Sequence, residues 1–515
     1  MSLEFMAPLM FAGLVVFLLL GYPVAFSLAF TGLAFGLLGI ELGMLQPALL
    51  QALPERVLGI MANSTLLAIP FFTLMGLILE RSGMAEELLD TIGQVFGSIR
   101  GGIAYAVVFV GALLAATTGV VAASVLAMGL ISLPVMMRYG YSNRLSTGII
   151  AASGTLAQII PPSLVLIVLA DQMGASVGDM YEGALIPGLG LAAMYAAWVF
   201  ITSIVKPEAA PACPPDMRTL HGGALVTKVF TSMIPPLVLI FLVLGTIFLG
   251  VATPTEGGAM GATGALIMAL VKRKLSWGLL KQAVESTATM TSFVMFILVG
   301  STVFSLVFRG VDGDLWVERL LLHVPGGALG FLIVVNVMIF LLAFFLDYFE
   351  IAFIMVPLLT PVAQKLGIDL IWFGVLLAVN MQTSFLHPPF GFALFYLRSV
   401  APKSVKTSDI YWGAIPFVCI QVIMVAVIIA FPNLVTSNVT AAATVKGTGA
   451  EELRRQLETE EPSAAPQQGG QKADDSTSDI ERALRGDNSS QEKKPEEKKS
   501  EDPTSEIERA LKEGK

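Results

Sequence analysis

Apolar stretches of ~20 residues, the length of helix that crosses a bilayer core, recur along this chain from Phe5 to Val435. Nothing else constrains the fold as strongly. In lipid every backbone N–H and C=O must be satisfied within the protein, which leaves helices or a closed barrel. Runs of this length are helices. The chain of 515 residues is 55% hydrophobic and 14% charged, against about 25% charged in soluble domains. The charge is unevenly placed. Residues 1–435 hold 18 Lys and Arg and 21 Asp and Glu, whereas residues 436–515 hold 13 and 18. The reading is an all-α polytopic membrane protein with a charged C-terminal tail.

The first apolar run begins at Phe5 behind Glu4 with no basic segment or cleavage pattern, so it reads as a membrane helix and not a signal peptide. Two cysteines, Cys213 and Cys419, and three histidines, His221, His323 and His387, form neither a disulfide framework nor metal-ligand spacing. No Walker A loop is present, so any energy must come from an ion gradient or a partner. No nucleic-acid partner is expected.

An internal duplication is visible. At an offset of 227, residues 128–162 lie over 355–389 without a gap, and seven positions are identical, among them Pro134/Pro361, Gly140/Gly367, Pro161/Pro388 and Pro162/Pro389. Shared Pro and Gly at a steady offset exceed what common apolar composition supplies. Lys and Arg give the orientation. With the N-terminus outside, helices near 5–22, 23–42 and 57–80 lead to an interfacial segment at 81–100. A hairpin at 102–138 opens inside, and crossings at 145–171 and 183–204 follow. The second half runs 229–250, 253–271, 283–308, a hairpin at 326–366, then 372–397 and 411–432. On this arrangement 14 of the 18 Lys and Arg before residue 436 lie inside, and the base-free loop 171–182 with Asp171, Asp179 and Glu182 lies outside. Each half has about five crossings and one re-entrant hairpin, so the two repeats have inverted topology. The expected domains are a first repeat over 1–205, a loop over 206–228, a second repeat over 229–435 and a tail over 436–515.

Proline removes an N–H and clashes with the preceding turn, yet Pro161-Pro162 and Pro388-Pro389 fall in mid-span. They follow the polar runs Ser153-Gly-Thr-Leu-Ala-Gln158 and Asn380-Met-Gln-Thr-Ser384. The expectation is a pair of helices unwound at the midplane, with freed oxygens for a cation and a half-helix N-terminus for an anion. The first hairpin turns near Thr117-Thr118-Gly119 and the second near Asp347-Tyr-Phe-Glu350. Intramembrane carboxylates are costly and usually functional. Asp347 could ligate Na⁺, bind a proton, bond the solute or sit solvated at a tip. Candidate solute-binding groups at the first tip and break are Thr117, Thr118, Thr155 and Gln158; at the second they are Asp347, Glu350, Ser384 and His387. Thr253-Pro-Thr-Glu256 reads as a helix start. Residues 81–100 and 309–325 read as amphipathic interfacial helices.

These residues resemble the large membrane subunit of tripartite ATP-independent periplasmic transporters, in the ion-transporter superfamily. The matching strings are Gly-Val-Ala-Thr-Pro-Thr-Glu (250–256), Ala-Ala-Ser-Gly-Thr-Leu (151–156), Ile-Ile-Pro-Pro-Ser (159–163) and His-Pro-Pro-Phe-Gly (387–391). Asp347, followed by Ile-Met-Val-Pro-Leu-Leu-Thr-Pro (354–361), also fits. Thr-Thr-Gly at the first tip, His387 before Pro-Pro and Asp-Tyr-Phe-Glu look like the branch labelled for mannitol or chloroaromatic compounds. The resemblance implies an Na⁺-driven elevator carrier. It works with a separate small four-helix membrane subunit and a periplasmic solute-binding protein that delivers an organic acid such as a monocarboxylate or 2-oxo acid. It also implies an inner-membrane location amid lipid, and about two Na⁺ sites. Thr117, Thr118, Ser153 and Gly154 would form one; Asn380, Gln382 and Thr383 would form the other, with Asp347 nearby. No organic cofactor is implied.

Two other classes compete. A channel-like subunit of a larger complex would not need two hairpins and two broken helices. An intramembrane enzyme would need a Ser/His, His-Glu-x-x-His or paired-Asp constellation, which is absent. In the tail, Ser478-Asp-Ile-Glu-Arg-Ala-Leu484 recurs as Ser505-Glu-Ile-Glu-Arg-Ala-Leu511. The repeat is either a pair of docking helices or transient helix in a solvated segment. Docking predicts that deleting 440–515 impairs partner binding or transport; full activity in that truncation rejects it.

Overall fold

The computed structural model describes residues 3–118, 121–213, 222–389, 391–437 and 439. They lie in one compact unit, Met1–Gly449, and no strand occurs among them. In chain order the helices are α1 (Leu3–Leu19), α2 (Val24–Glu41), α3 (Ala48–Gln51), α4 (Leu53–Met61), α5 (Ala68–Arg81), α6 (Met84–Phe96), α7 (Gly102–Thr118), α8 (Val121–Arg138), α9 (Asn143–Thr155), α10 (Leu164–Met173) and α11 (Val177–Val205). There follow α12 (Gly222–Phe248), α13 (Pro254–Val271), α14 (Trp277–Gly310), α15 (Gly313–Leu322), α16 (Gly327–Leu342), α17 (Tyr348–Lys365), α18 (Leu370–Met381), α19 (Phe392–Val400) and α20 (Thr407–Ala430). The motifs at 478–484 and 505–511 lie outside the described residues.

Seven helical segments among the described residues are long and apolar enough to cross a membrane: α2, Ser64–Arg81, α8, α11, α12, α14 and α20. The α15–α16 pair, bent by 115°, makes an eighth at most. Their outward faces keep large apolar side chains bare, such as Phe241 at 81% and Phe230 at 60% exposure. Such faces suit lipid and not water.

Helix contact inside a bilayer relies on close approach, because lipid removes the hydrophobic drive. Small residues sit where the helices meet. A Cβ at Gly148 of α9 would land on the Gly413 carbonyl of α20. One at Gly32 of α2 would come within 2.9 Å of the Val303 carbonyl of α14. The α5–α13 contact has the same character, with a Cβ at Gly258 meeting Phe71 at 3.0 Å. Helices α2, α5, α13 and α14 thus form one packed group beside the hairpins and broken helices.

Three sequence expectations need correction. The span expected over 57–80 is interrupted at Asn63, whose side chain accepts from Thr65 N–H at 2.9 Å and donates to Asp171 at 2.6 Å. The expected outer loop 171–182 is mostly helix: α10 runs to Met173, α11 starts at Val177, and Glu182 is buried. The loop expected over 206–228 is shorter, because α12 begins at Gly222. Thr253 and Glu256 form a complete capping box at the start of α13, so their role there is capping.

Helices α6 and α15 match the two expected amphipathic segments. Glu87 of α6 takes Lys228 of α12 at 2.6 Å and Lys272, just past α13, at 2.8 Å. Partial burial raises the Glu87 pKa, but the hydrogen bonds from the two ammonium groups outweigh it and hold the carboxyl at about 2, below its ordinary 4.5. A depressed folded pKa stabilises the protein above the unfolded value and loses that contribution as pH falls. Glu87→Gln is therefore expected to lower thermal stability at neutral pH by on the order of 1 kcal/mol, given the partial exposure. In pH-dependent melting, the gap to the parent protein should close between pH 4.5 and about 2.

Candidate functional site

Two helices stop in the apolar interior and restart. After α9, a 3-10 turn over Leu156–Gln158 leads through a cis Pro161–Pro162 bond to α10. After α18, a 3-10 turn over Gln382–Phe385 leads through a cis Pro388–Pro389 bond to α19. The interrupted backbone is stitched by short polar contacts. Ser163 Oγ donates to the Gln158 carbonyl at 2.7 Å, and Tyr181 OH donates to the Ser163 carbonyl at 3.3 Å. Thr383 Oγ1 donates to the Asn380 carbonyl at 2.7 Å. Asn380 Nδ2 donates to the Asn336 carbonyl at 2.8 Å and to its side-chain oxygen at 2.9 Å, tying the second break to α16.

The two breaks also touch each other. Gln382 Nε2 donates to Thr155 Oγ1 at 3.0 Å, while Thr155 donates to the Ala152 carbonyl at 2.8 Å. Gln421 Nε2 approaches the same hydroxyl at 3.5 Å and donates to Tyr195 OH at 2.9 Å. All four side chains are buried. Thr155, expected to meet the solute, is instead engaged in joining the breaks.

The remaining expected residues divide clearly. Ser153 and Gly154 are wedged between the first hairpin's arms. A Cβ at Gly111 of α7 would stand 2.6 Å from Ser153 Cβ, and one at Gly154 would land on Val125 of α8. Thr117 and Thr118 close α7, but their side chains lie outside the described residues, as does Gly119. His387 is buried with its ring stacked on Phe344, centroids 4.2 Å apart, and set edge-on to Phe340 at 4.4 Å. Asp347 is the N-cap of α17. Its Oδ1 accepts from Glu350 N–H at 2.8 Å, and Glu350 Oε2 accepts from Asp347 N–H at 2.9 Å. This capping box gives both half-buried carboxylates structural work at the tip.

The expected Na⁺ ligands suit a hard cation in one respect. Ser153 Oγ and Gln382 Oε1 are buried oxygens without a hydrogen-bond partner, as is Ser384 Oγ, which was expected to meet the solute. Among the described residues no cluster of three Asp, Glu, His or Cys could hold a metal. A cation here would thus be held mainly by neutral oxygens, as in other carriers with unwound helices.

A cavity of about 660 Å³ lies against the tips and breaks. Of the expected solute-binding residues, Gln158, Asp347 and Glu350 line it; Ser384 and His387 are not on its wall. Its remaining polar wall is Glu285, Ser286 and Thr289 of α14 and Tyr396 of α19, none of which stood out in the sequence. Helical spacing on α14 (285, 289) was the available signal. Three helices begin at this cavity: Leu164 and Phe392 are the first residues of α10 and α19, and Asp347 caps α17; Val121 and Ala122 of α8 line it as well.

Fold and site together define a polytopic helical transporter of the inner membrane. Residues 11–434 match the family described as the tripartite ATP-independent periplasmic transporter, DctM component. The chain belongs to that family and is a DctM-like large subunit of a binding-protein-dependent transporter. It is 30% identical to the C4-dicarboxylate TRAP transporter large permease protein DctM of Pseudomonas aeruginosa, over 76% of this chain and 89% of that one. It is 28% identical to the 2,3-diketo-L-gulonate TRAP transporter large permease protein YiaN of Escherichia coli, over 84% and 98%. It is also 28% identical to the isethionate TRAP transporter permease protein DctMQ of Oleidesulfovibrio alaskensis, spanning 78% of this chain and 61% of that longer one. In fold it is similar to the Alcanivorax borkumensis YdaH transporter, at a TM-score of 0.57 and 14% identity over 76% of this chain and 90% of that one.

The Thr155–Gln382 contact generates a direct test. Thr155→Val and Gln382→Leu should each cost about 1–2 kcal/mol of stability. The double variant should cost less than the sum, with a coupling of about 0.5 kcal/mol or more, measured by unfolding of the detergent-solubilised protein. Strict additivity would show that the two breaks do not depend on each other.

Proposed function

We propose that this chain is the carrier subunit of an Na⁺-coupled, elevator-type importer of a small organic acid, working with a small membrane subunit and a periplasmic binding protein. The observation that carries the reading is the convergence of the uncapped α10 and α19 N-termini, the restarts of the two broken helices, on one cavity. The α10 and α19 starts, which have no side-chain cap, each present unsatisfied N–H groups and about half a positive charge. Their convergence favours an anion. The relatives' names, for C4-dicarboxylate, diketogulonate and isethionate, are all names of organic anions and support the class.

Two inverted repeats, over 1–205 and 229–435, fit the order of elements. Helices α6, α7, α8, α9, α10 and α11 are followed later by α15, α16, α17, α18, α19 and α20, in the same sequence of interfacial helix, hairpin, broken helix and span. The packing is exchanged between halves: α2 lies on α14 as α13 lies on α5, and α8 lies on α19 as α17 lies on α10. The charge-derived orientation runs α14 outward from Trp277, so Glu285–Phe293 belong to its cytoplasmic half. The cavity beside them then corresponds to an inward-facing state. In the elevator reading the hairpins and broken helices move together past α2, α5, α13 and α14. Na⁺ would be held near Ser153, Gly154 and Thr117-Thr118 on one side and Asn380, Gln382 and Thr383 on the other, offsetting the charge of the solute.

Proteoliposomes holding this chain, its small subunit and its binding protein test the proposal. Uptake should follow an imposed inward Na⁺ gradient and fail without it. Asp347→Ala should abolish that uptake while the protein remains folded, since loss of an N-cap costs only about 1 kcal/mol. Wild-type uptake by this variant would refute a transport role for Asp347.

A further inference from the structure

Hairpin arm α17 contains Pro357 in its interior. In a helix, the N–H of residue 357 would bond the carbonyl of Phe353. Proline has no N–H, so that carbonyl loses its helical partner at a place where Phe353 is fully buried. Within a membrane, a Ser or Thr of a neighbouring helix is one of the few groups that can satisfy a carbonyl freed in this way. Ser301 of α14, only 5% exposed, does so: its Oγ donates to the Phe353 carbonyl at 2.7 Å. Ser301 is also firmly mounted. A Cβ on the preceding Gly300 would land on the Ala25 carbonyl, so α14 lies directly on α2 at this level.

The first half has neither member of this pair. At the offset of 227, Leu130 holds the place of Pro357. Thr73 stands as far before Arg81 on α5 as Ser301 stands before Arg309 on α14. Its Oγ1 donates within its own helix, to the Ile69 carbonyl at 2.7 Å. The vacated carbonyl and the hydroxyl that reaches it from the next helix thus occur together, in the second half. Another bond crosses between the packed group and the broken helices, from Asn63, just ahead of α5, to Asp171 at the end of α10. Both of those side chains are half-buried, so water can replace their bond. Nothing replaces Ser301, and a buried group left unpaired carries its full desolvation penalty.

Resting on the elevator reading above, we propose that Ser301 is a positioning residue of the transport cycle. It latches the second hairpin to α14 in the inward-facing state by supplying the hydrogen bond that Pro357 cannot. Sliding the hairpin past α14 strands the Phe353 carbonyl, so the outward-facing form is disfavoured until differential ligand binding compensates. The latch has its own signature. Ser301→Ala strands the carbonyl in both forms, whereas Pro357→Ala restores the helical N–H and satisfies it in both. Either change removes the difference between the forms, but only the first leaves a buried group unpaired.

The full chain, with Cys213→Ser and Cys419→Ser, is reconstituted in nanodiscs with its small membrane subunit. Spin labels are attached through Lys274→Cys, past α13, and Lys403→Cys, past α19, and their separations are measured by pulsed electron resonance with and without Na⁺. Ser301→Ala and Pro357→Ala should each raise the ratio of the second form to the form matching the present structure by about tenfold. Ser301→Ala should also lower the melting temperature by a few degrees. Pro357→Ala should not, and combined with Ser301→Ala it should restore most of the loss. A serine that only holds the fold together would lower the melting temperature and leave the ratio unmoved; that result overturns the inference. So does a loss in Ser301→Ala that persists undiminished beside Pro357→Ala. One unchanging label separation in the parent and in every variant, with and without Na⁺, overturns the elevator reading, and this inference with it.

Discussion

A backbone that stops being helical inside a membrane has no water to take its N–H and C=O groups, and each one left alone costs several kcal/mol. The structure depends on how two such interruptions are satisfied. Residues 145–170 and 373–386 are buried throughout, so the compensation has to come from side chains close by. Ser163, Tyr181, Thr383 and Asn336 provide it locally. The Gln382–Thr155 bond provides it between the two breaks, across a sequence separation of 227. That separation is also the offset at which the halves align. Equivalent positions of two related units can touch only at the axis that relates them. On the two-repeat reading this hydrogen bond marks the axis, and each break serves as part of the other's solvation.

From that arrangement the cavity follows. Breaking α9–α10 and α18–α19 at depth creates fresh helix starts away from the membrane surface, and the second hairpin contributes another at α17. Polarity is thereby delivered to the interior by backbone dipoles and not by buried ions, which would be far more costly. On the organic-acid reading, the wall can then be largely aromatic and aliphatic and still attract an anion. The one start that carries its own carboxylates, α17, is the exception, and it sits where the halves depart from each other in sequence.

How much of this was legible beforehand differs by element. The breaks were plain, because adjacent prolines within an apolar run cannot continue a spanning helix. Asp347 and Glu350 were found by charge alone, but their reciprocal capping needs the three-residue spacing to be read as an N-terminus at the point where the hairpin restarts. Thr155 was assigned to the solute because a hydroxyl beside a break looks available. Only the fold brings Gln382 to it. Glu285, Ser286 and Thr289 were missed for the opposite reason: on a long helix with polar residues near its end they look like an ordinary solvated face. Glu182 was misplaced because a polar string between spans resembles a loop, whereas α11 extends to include it and buries it. Sequence periodicity reports which face of a helix is polar; what that face meets is a tertiary fact.

The two interfacial helices differ where the rest of the order is alike. Helix α6 is tied to α12 and to the end of α13 through Glu87, with Thr91 and Ser232 3.3 Å apart alongside. Helix α15 is tied through Glu318 to Lys365 at the end of α17, at 2.6 Å. The first clamp therefore joins its interfacial helix to the group containing α13, and the second joins its own to a hairpin arm. If the hairpins and broken helices move as one body, α6 stays behind with its clamp and must flex where it meets α7, while α15 travels and must flex where it meets α14. The flanking chain fits that division. Gly101, with a φ of +76°, separates α6 from α7, and Asp312, with a φ of +56°, separates α14 from α15. A non-glycine residue in the left-handed region is uncommon, so the second joint holds a defined bend where the first has glycine's freedom. On the elevator reading proposed above, the two arms would therefore differ in mechanical role despite their matching places in the chain.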